Sequence, residues 1–215
     1  MTAFTIADIG GTKHPFRMTQ PDFATRLFDC DDGSSLTASN GSRFIRKLPG
    51  KRSLGYLHKF YAPLRDPPEV ALLQRLAPAY FDFLRWANGA ALFDNCIALS
   101  GYVATISRQT APEAVTAISM NSENEVFALL QPQRWEKGWT KIGGLVGWDS
   151  SYTLQLHREG KCAVVGQELS YTAPTFDECM QAIITRVSPC FTCEGIIDTS
   201  YAELEGALAS LFRLH

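Results

Sequence analysis

No run of 18 or more apolar residues occurs anywhere in this 215-residue chain, which excludes a membrane-spanning helix of ordinary length. The stretch from Met1 to Phe16 also lacks a charged leader followed by an apolar block. The expectation is a soluble, cytoplasmic protein with no membrane association. The motifs HExxH, GxSxG and GxxxxGK[ST] are missing, and none of the four histidines (His14, His58, His157, His215) stands near another in sequence. Local spacing therefore assigns no catalytic residue, metal ligand or cofactor, although a triad gathered in space from scattered positions stays open. Internal repeats and low-complexity segments are absent as well.

What is present is a chain with enough apolar residues, 46% of the total, to bury a good core in one domain or one domain with an elaborated end. Six cysteines (Cys30, Cys96, Cys162, Cys179, Cys190, Cys193) in a chain without a leader read as buried or free thiols rather than a disulfide framework. The formal charge of -2 conceals an asymmetry. Residues 1–68 carry ten Lys+Arg against six Asp+Glu, a balance of +4, and residues 69–215 carry ten against sixteen, a balance of -6. A basic arm and an acidic body imply mutual docking or two partners of opposite charge.

The first 65 residues read as short strands and loops with no helix of any length. Asn40-Gly41 is the best hairpin signal, because that pair tolerates positive φ. From Asp66 the period changes. Asp66 reads as a cap, Pro67 and Pro68 as a first turn, and Val70, Leu72, Leu73 and Leu76 as an apolar face that Pro78 interrupts. A second helix carries Tyr80, Phe81, Phe83, Leu84 and Ala87 and stops at Asn88-Gly89. Strands are expected in "CIALSGYVATI", in "EVFALL" (residues 125–130), and in a hairpin from Tyr152 to Gly166. Thr175 and Glu178 stand at capping-box spacing before a helix with Phe176, Cys179, Met180, Ile183, Ile184 and Val187 on one face. Ser200 and Glu203 repeat the box before a last helix. Strands and helices without βαβ alternation predict an α+β fold, with a mixed or antiparallel sheet flanked by helices.

Three local patterns have a chemical reading. Asp8-Ile-Gly-Gly-Thr-Lys13 resembles the phosphate-binding turn of sugar kinases in the hexokinase and actin-like superfamily. That site needs a following strand, but His14-Pro15-Phe16 comes next and proline removes a ladder donor. The glycine-rich "IGGLVGWD" at 142–149 lacks the threonine turn of a second phosphate site, so Gly10-Gly11 reads as an ordinary turn. Cys190-Phe-Thr-Cys193 is a CxxC without a second cysteine pair for zinc, and it follows a helix and Ser188-Pro189 instead of opening a helix, where thiol exchange would want it. Residues 43–65 hold seven Lys+Arg and no acid, interleaved with Phe44, Tyr56, Phe60 and Tyr61. Single-stranded nucleic acid would suit such a segment, and docking on the acidic body of the same chain suits it better.

Leu76 to Asn95, "LAPAYFDFLRWANGAALFDN", resembles the opening signature of the SUKH superfamily, which includes fungal cell-wall synthesis regulators and bacterial immunity proteins. Pro78, Tyr80, Phe83, Leu84 and Asn88-Gly89 carry the likeness. Trp139, Ile142-Gly143-Gly144 and Gly147-Trp148-Asp149 follow in the family's order, then the hairpin, then "APTFDECMQAI" as a closing helix. Ala90 and Trp148 stand where the family has glycine. The likeness spans roughly residues 69–188, so that residues 1–65 form a β-rich N-terminal extension and 66–215 a SUKH-like α+β domain, together one compact unit. The resemblance implies a non-catalytic protein-binding module, most plausibly an immunity protein that occludes a toxin. Candidate partner-binding residues are Trp135, Glu136, Trp139, Trp148 and Asp149. The alternatives are a nucleic-acid-associated protein using residues 43–65 and an unrecognised enzyme.

Overall fold

The computed structural model describes residues 20–29, 31–51, 55–104, 111–146, 151–166, 170–192 and 201–213. Nine strands form one antiparallel sheet whose spatial order is the chain order: β1 (Leu36–Thr37), β2 (Arg43–Lys47), β3 (Tyr56–Phe60), β4 (Ala90–Leu92), β5 (Ile97–Leu99), β6 (Trp139–Val146), β7 (Ser151–His157), β8 (Cys162–Val165) and β9 (Ser170–Ala173). The helices are α1 (Asp22–Phe28), α2 (Ala71–Gln74), α3 (Pro78–Trp86), α4 (Met120–Leu130), α5 (Pro132–Glu136), α6 (Phe176–Val187) and α7 (Tyr201–Ala209). The fold is α+β, an antiparallel sheet flanked by helices. No helix among the described residues is long and apolar enough to cross a membrane.

The core lies between one face of the sheet and the helices α1, α3, α6 and α7. Leu154 and Leu156 of β7 alternate onto that face and are buried. Opposite them Phe23, Tyr80, Phe83 and Phe176 bring three helices together, with ring centroids 5.1–6.0 Å apart. The Tyr80 hydroxyl donates to the Ser100 carbonyl at 2.7 Å, so this ring is buried without leaving its polar tip unsatisfied. Thr175 caps α6 by accepting from the Glu178 N–H, and all six apolar residues read for this helix are buried. β6 bulges between Lys141 and Gly143, and Gly143 passes so close to β5 that a Cβ there would overlap the Ala98 carbonyl oxygen.

The Asn40-Gly41 turn joins β1 to β2, with Gly41 at φ 92°, and the 157–162 turn closes the β7–β8 hairpin. α3 ends at Ala87, which is extended at φ -151° and ψ 122°, so the left-handed stop expected at Asn88-Gly89 does not end it; Gly89 takes φ 90° just beyond, where a Cβ would overlap Ala117 and the Leu99 carbonyl. The segment before residue 66 is continuous with the rest through β3 and β4, where Lys59 pairs with Ala91 and Phe60 with Ala90.

Four elements differ from the sequence reading. The first 65 residues do contain a helix, α1, whose seven residues are too few for a periodic signal. It is fixed from a distance, since the Phe23 N–H donates to the Asp177 carboxylate of α6. The helix expected from Asp66 begins only at Ala71: Val70 is still extended at φ -117° and ψ 144°, and a residue that precedes a proline, as Asp66 and Pro67 do, is disfavoured in helical backbone. The strand expected from Cys96 to Ile106 keeps only Ile97–Leu99, and residues 105 and 106 lie outside the described residues. "EVFALL" is not a strand but the second half of α4, initiated by Ser119, whose hydroxyl accepts from the Ser122 N–H.

Candidate functional site

α4 is held at the sheet through Asn124 and Glu123. Pairing of β6 with β5 ends at Gly143, so Lys141, which pairs with Gln155 of β7 on one side, has no strand partner on the other, and the Asn124 amide takes that place. Its Oδ1 accepts from the Lys141 N–H at 2.9 Å, and its Nδ2 donates to the Lys141 carbonyl at 2.8 Å. The Lys141 ammonium meets the Glu123 carboxylate at 2.8 Å, and Glu123 also accepts from the Ser100 hydroxyl. With Met120, Asn124 and Phe127 turned inward, the 100° step per residue leaves Val126, Leu129 and Leu130 outward. They are 54%, 81% and 76% exposed, a contiguous aliphatic ridge at spacing i, i+3, i+4.

α5 follows at once, with the candidates Trp135 and Glu136 on it and Trp139 at the start of β6 just after. Trp135 is half-buried beneath the Arg75 guanidinium, 3.8 Å from the ring centroid, and Arg75 donates to the Trp135 carbonyl at 2.6 Å. Its edge meets Phe127 of α4 at 6.5 Å between centroids. Trp139, also half-buried, lies under Arg134 at 4.5 Å and beside His157 at 5.1 Å. The Arg134 Nε donates to the buried Gln155 amide oxygen at 2.6 Å. Both indoles are thus covered on one face by an arginine of their own chain. Glu136 is exposed at the end of α5. Trp148 and Asp149 lie outside the described residues.

Among the described residues the most exposed large apolar side chains are those of the α4 ridge, ahead of Ile118 and Leu36, and sequence reasoning missed the ridge because an apolar run was given the wrong period. Pro132 just beyond the run, and a serine at the N-cap before it, were the signals for a helix.

Cations of the basic segment are engaged within the chain. The Arg43 guanidinium sits 3.9 Å from the Trp86 centroid and within 5.8 Å of the Phe28 and Phe60 rings, and it donates to the Trp86 carbonyl. Burial lowers its pKa. Lys51 pairs with Asp94 at 3.0 Å, Lys59 donates to Asn95 at 3.0 Å, and Arg46 approaches Asp32 at 3.9 Å. Lys47 is exposed, and Arg52 lies outside the described residues.

The kinase-like turn at 8–13 lies outside the described residues, as does Cys193 of the CxxC. Cys96, Cys162, Cys179 and Cys190 are buried thiols. Burial pushes the Cys96 thiol up to about 12, and a hydrogen bond with Cys179, reinforced by burial, raises that of Cys162. A group able to hold a metal, with three or more His, Cys, Asp or Glu, is not found among the described residues. A groove of about 290 Å³ runs between α1 and α6, where Asp22, Arg26 and Gln181 are among its walls. Comparison of the chain with protein-family models, with curated proteins and with solved structures finds no match in any of the three.

Proposed function

We propose that this chain is a non-catalytic protein-binding module and that its partner-facing surface is the α4–α5 region. The observation that carries the reading is the exposed ridge of Val126, Leu129 and Leu130. Three large aliphatic side chains at helical spacing, exposed together, are a feature that monomer surfaces keep for contacts with other macromolecules. Trp135 and Trp139 add half-buried aromatic surface beside the ridge, held rigid by their arginines, which suits them to complement a partner at low entropic cost. The likeness to the SUKH superfamily gives the biological form of the proposal: an immunity protein that binds a toxin and blocks its working surface.

The test is recovery from lysate of the source organism on the immobilised intact protein, run beside Leu129→Asp. A single stoichiometric protein that the variant fails to hold is expected. Expressing that protein alone should arrest growth, and co-expressing this chain should restore it. If nucleic acid is recovered, or if the variant retains every bound species, the reading fails.

A further inference from the structure

Two asparagines stand directly before a glycine, Asn40 and Asn88, and the fold treats them differently. An asparagine so placed can lose its amide. The following backbone nitrogen gives its proton to base and attacks the side-chain carbon Cγ; a C–N bond forms, and the bond from Cγ to Nδ2 breaks as ammonia leaves with a proton from solvent. Water then adds across either carbonyl–nitrogen bond of the resulting succinimide, giving aspartate or isoaspartate. At Asn40, in the turn between β1 and β2, the surroundings favour ring closure. The Ser42 N–H donates to Asn40 Oδ1 at 2.9 Å, an i to i+2 bond that holds the side-chain carbonyl beside the Gly41 peptide it spans. The same donor points at the oxygen on which negative charge develops in the tetrahedral intermediate. A Cβ built on Gly41 would lie 3.9 Å from an Arg65 guanidinium nitrogen, so a cation also stands near the reacting backbone. The Gly41 N–H donates to the Ala38 carbonyl at 2.9 Å, and this bond, internal to the turn, must open first. The Asn40 amide itself donates to the Glu113 carbonyl at 2.8 Å on the surface, where water has access.

At Asn88 the same pair of residues is closed off. Its Oδ1 accepts from the Tyr102 N–H and its Nδ2 donates to the Tyr102 carbonyl, both at 2.7 Å, so the amide is held at both ends by another segment of the chain. Gly89 is buried, and Ala117 and the Leu99 carbonyl fill the space at its α-carbon. We propose that Asn40 is a site of spontaneous conversion to aspartate and isoaspartate, that the fold protects Asn88 from the same reaction, and that the conversion unlatches the short 3₁₀ turn Pro112–Ala114 from the β1–β2 hairpin. The release follows from the bond to Glu113. In either product an oxygen replaces the donating Nδ2, and a carboxylate oxygen facing a carbonyl oxygen repels it where the amide was held. This chemistry stands whether or not α4 meets a partner.

Prolonged incubation of the intact protein in mildly alkaline buffer tests this, with peptide mapping and electron-transfer fragmentation to separate aspartate from isoaspartate. A second sample kept unfolded in urea gives the intrinsic rates. In the folded chain Asn40 should gain the mass difference of acid over amide and yield both isomers about tenfold faster than Asn88 or more, because the two bonds from Asn88 to Tyr102 must break before it reacts. In urea the two rates should converge. The rate at Asn40 should rise with pH, since the attacking nitrogen must first lose its proton. Asn88 converting as fast as Asn40 in the folded chain, or Asn40 persisting there while both convert in urea, overturns the selection. The release is read separately by amide hydrogen exchange on the variant Asn40→Asp, which carries one of the products from the start. Peptides covering Ala111–Val115 should exchange about fivefold faster or more than in the unaltered chain, while those covering β8 stay the same. Equal exchange in the two chains, or exchange raised throughout the molecule, overturns the unlatching.

Discussion

At the scale of single residues, burial lowers the pKa of two cation-forming groups, His58 and the half-buried Arg43, with different consequences. His58 is fully buried on β3, accepts from the Phe93 N–H through Nδ1 and packs edge-on against the Phe93 ring. Burial lowers its pKa from 6.5 to about 3. The unfolded chain therefore binds the proton first, so stability is full above pH 6.5 and falls as the pH drops from there toward 3. Between pH 7.5 and pH 5 the loss is about 2 kcal/mol, read as the difference between urea melts at the two pH values. His58→Asn, which keeps an acceptor for Phe93, should abolish that difference. Arg43, by contrast, keeps its charge among three rings. Arg43→Ala removes the stacked cation and its bond to the Trp86 carbonyl, for a loss of about 2 kcal/mol, measurable as a lower urea midpoint. The thiols give a third expectation. Cys96, Cys162, Cys179 and Cys190 are buried, and the raised pKa of Cys96 and Cys162 withholds the thiolate. Peptide mapping after thiol labelling should find these four modified only once the chain is unfolded.

At the scale of elements, α4 separates what holds a helix from what the helix displays. Asn124→Ala leaves the Lys141 N–H and carbonyl without partners and should destabilise by about 2 to 4 kcal/mol. Leu129→Asp touches nothing packed and should change stability by less than about 0.5 kcal/mol. Paired chemical denaturation of the two variants decides. The same helix explains how far the sequence was legible. α6 could be read because Thr175, Glu178 and six buried apolar residues agree on one face. The Asn40-Gly41 turn could be read because the positive φ of Gly41 favours glycine. In α4 the rule that apolar residues face inward holds for Met120 and Phe127 but fails elsewhere: three aliphatics are outside and a polar Asn124 is inside. A pattern based on burial has no means of seeing that. α1 escaped for a different reason, since its N-terminus is satisfied by Asp177, a residue no local window contains. Trp135 and Trp139 were legible as features of this region, but not the arginines above them, which come from α2's end and from α5 itself.

At the scale of the whole molecule, the sheet makes residues before 66 part of the same structure as those after. β3 covers the edge of β4, while Phe60 and Trp86 share Arg43 between them. A chain beginning at residue 66 would expose that edge and the Trp86 ring, so it should show no cooperative thermal transition and should sediment as aggregates, whereas the intact chain melts in one step. The strand order has its own consequence for how the molecule is made. Every strand lies beside the one synthesised just before it, so the sheet can be laid down from β1 to β9 as the chain leaves the ribosome. The bond from Phe23 to Asp177 runs against this order: it ties the earliest helix to one that emerges some 150 residues later. α1, the first of the described helices, can therefore set Phe28 on Phe60 and Trp86 as soon as β3 and α3 exist, but its N-terminal end and the Phe23–Phe176 contact wait until α6 arrives.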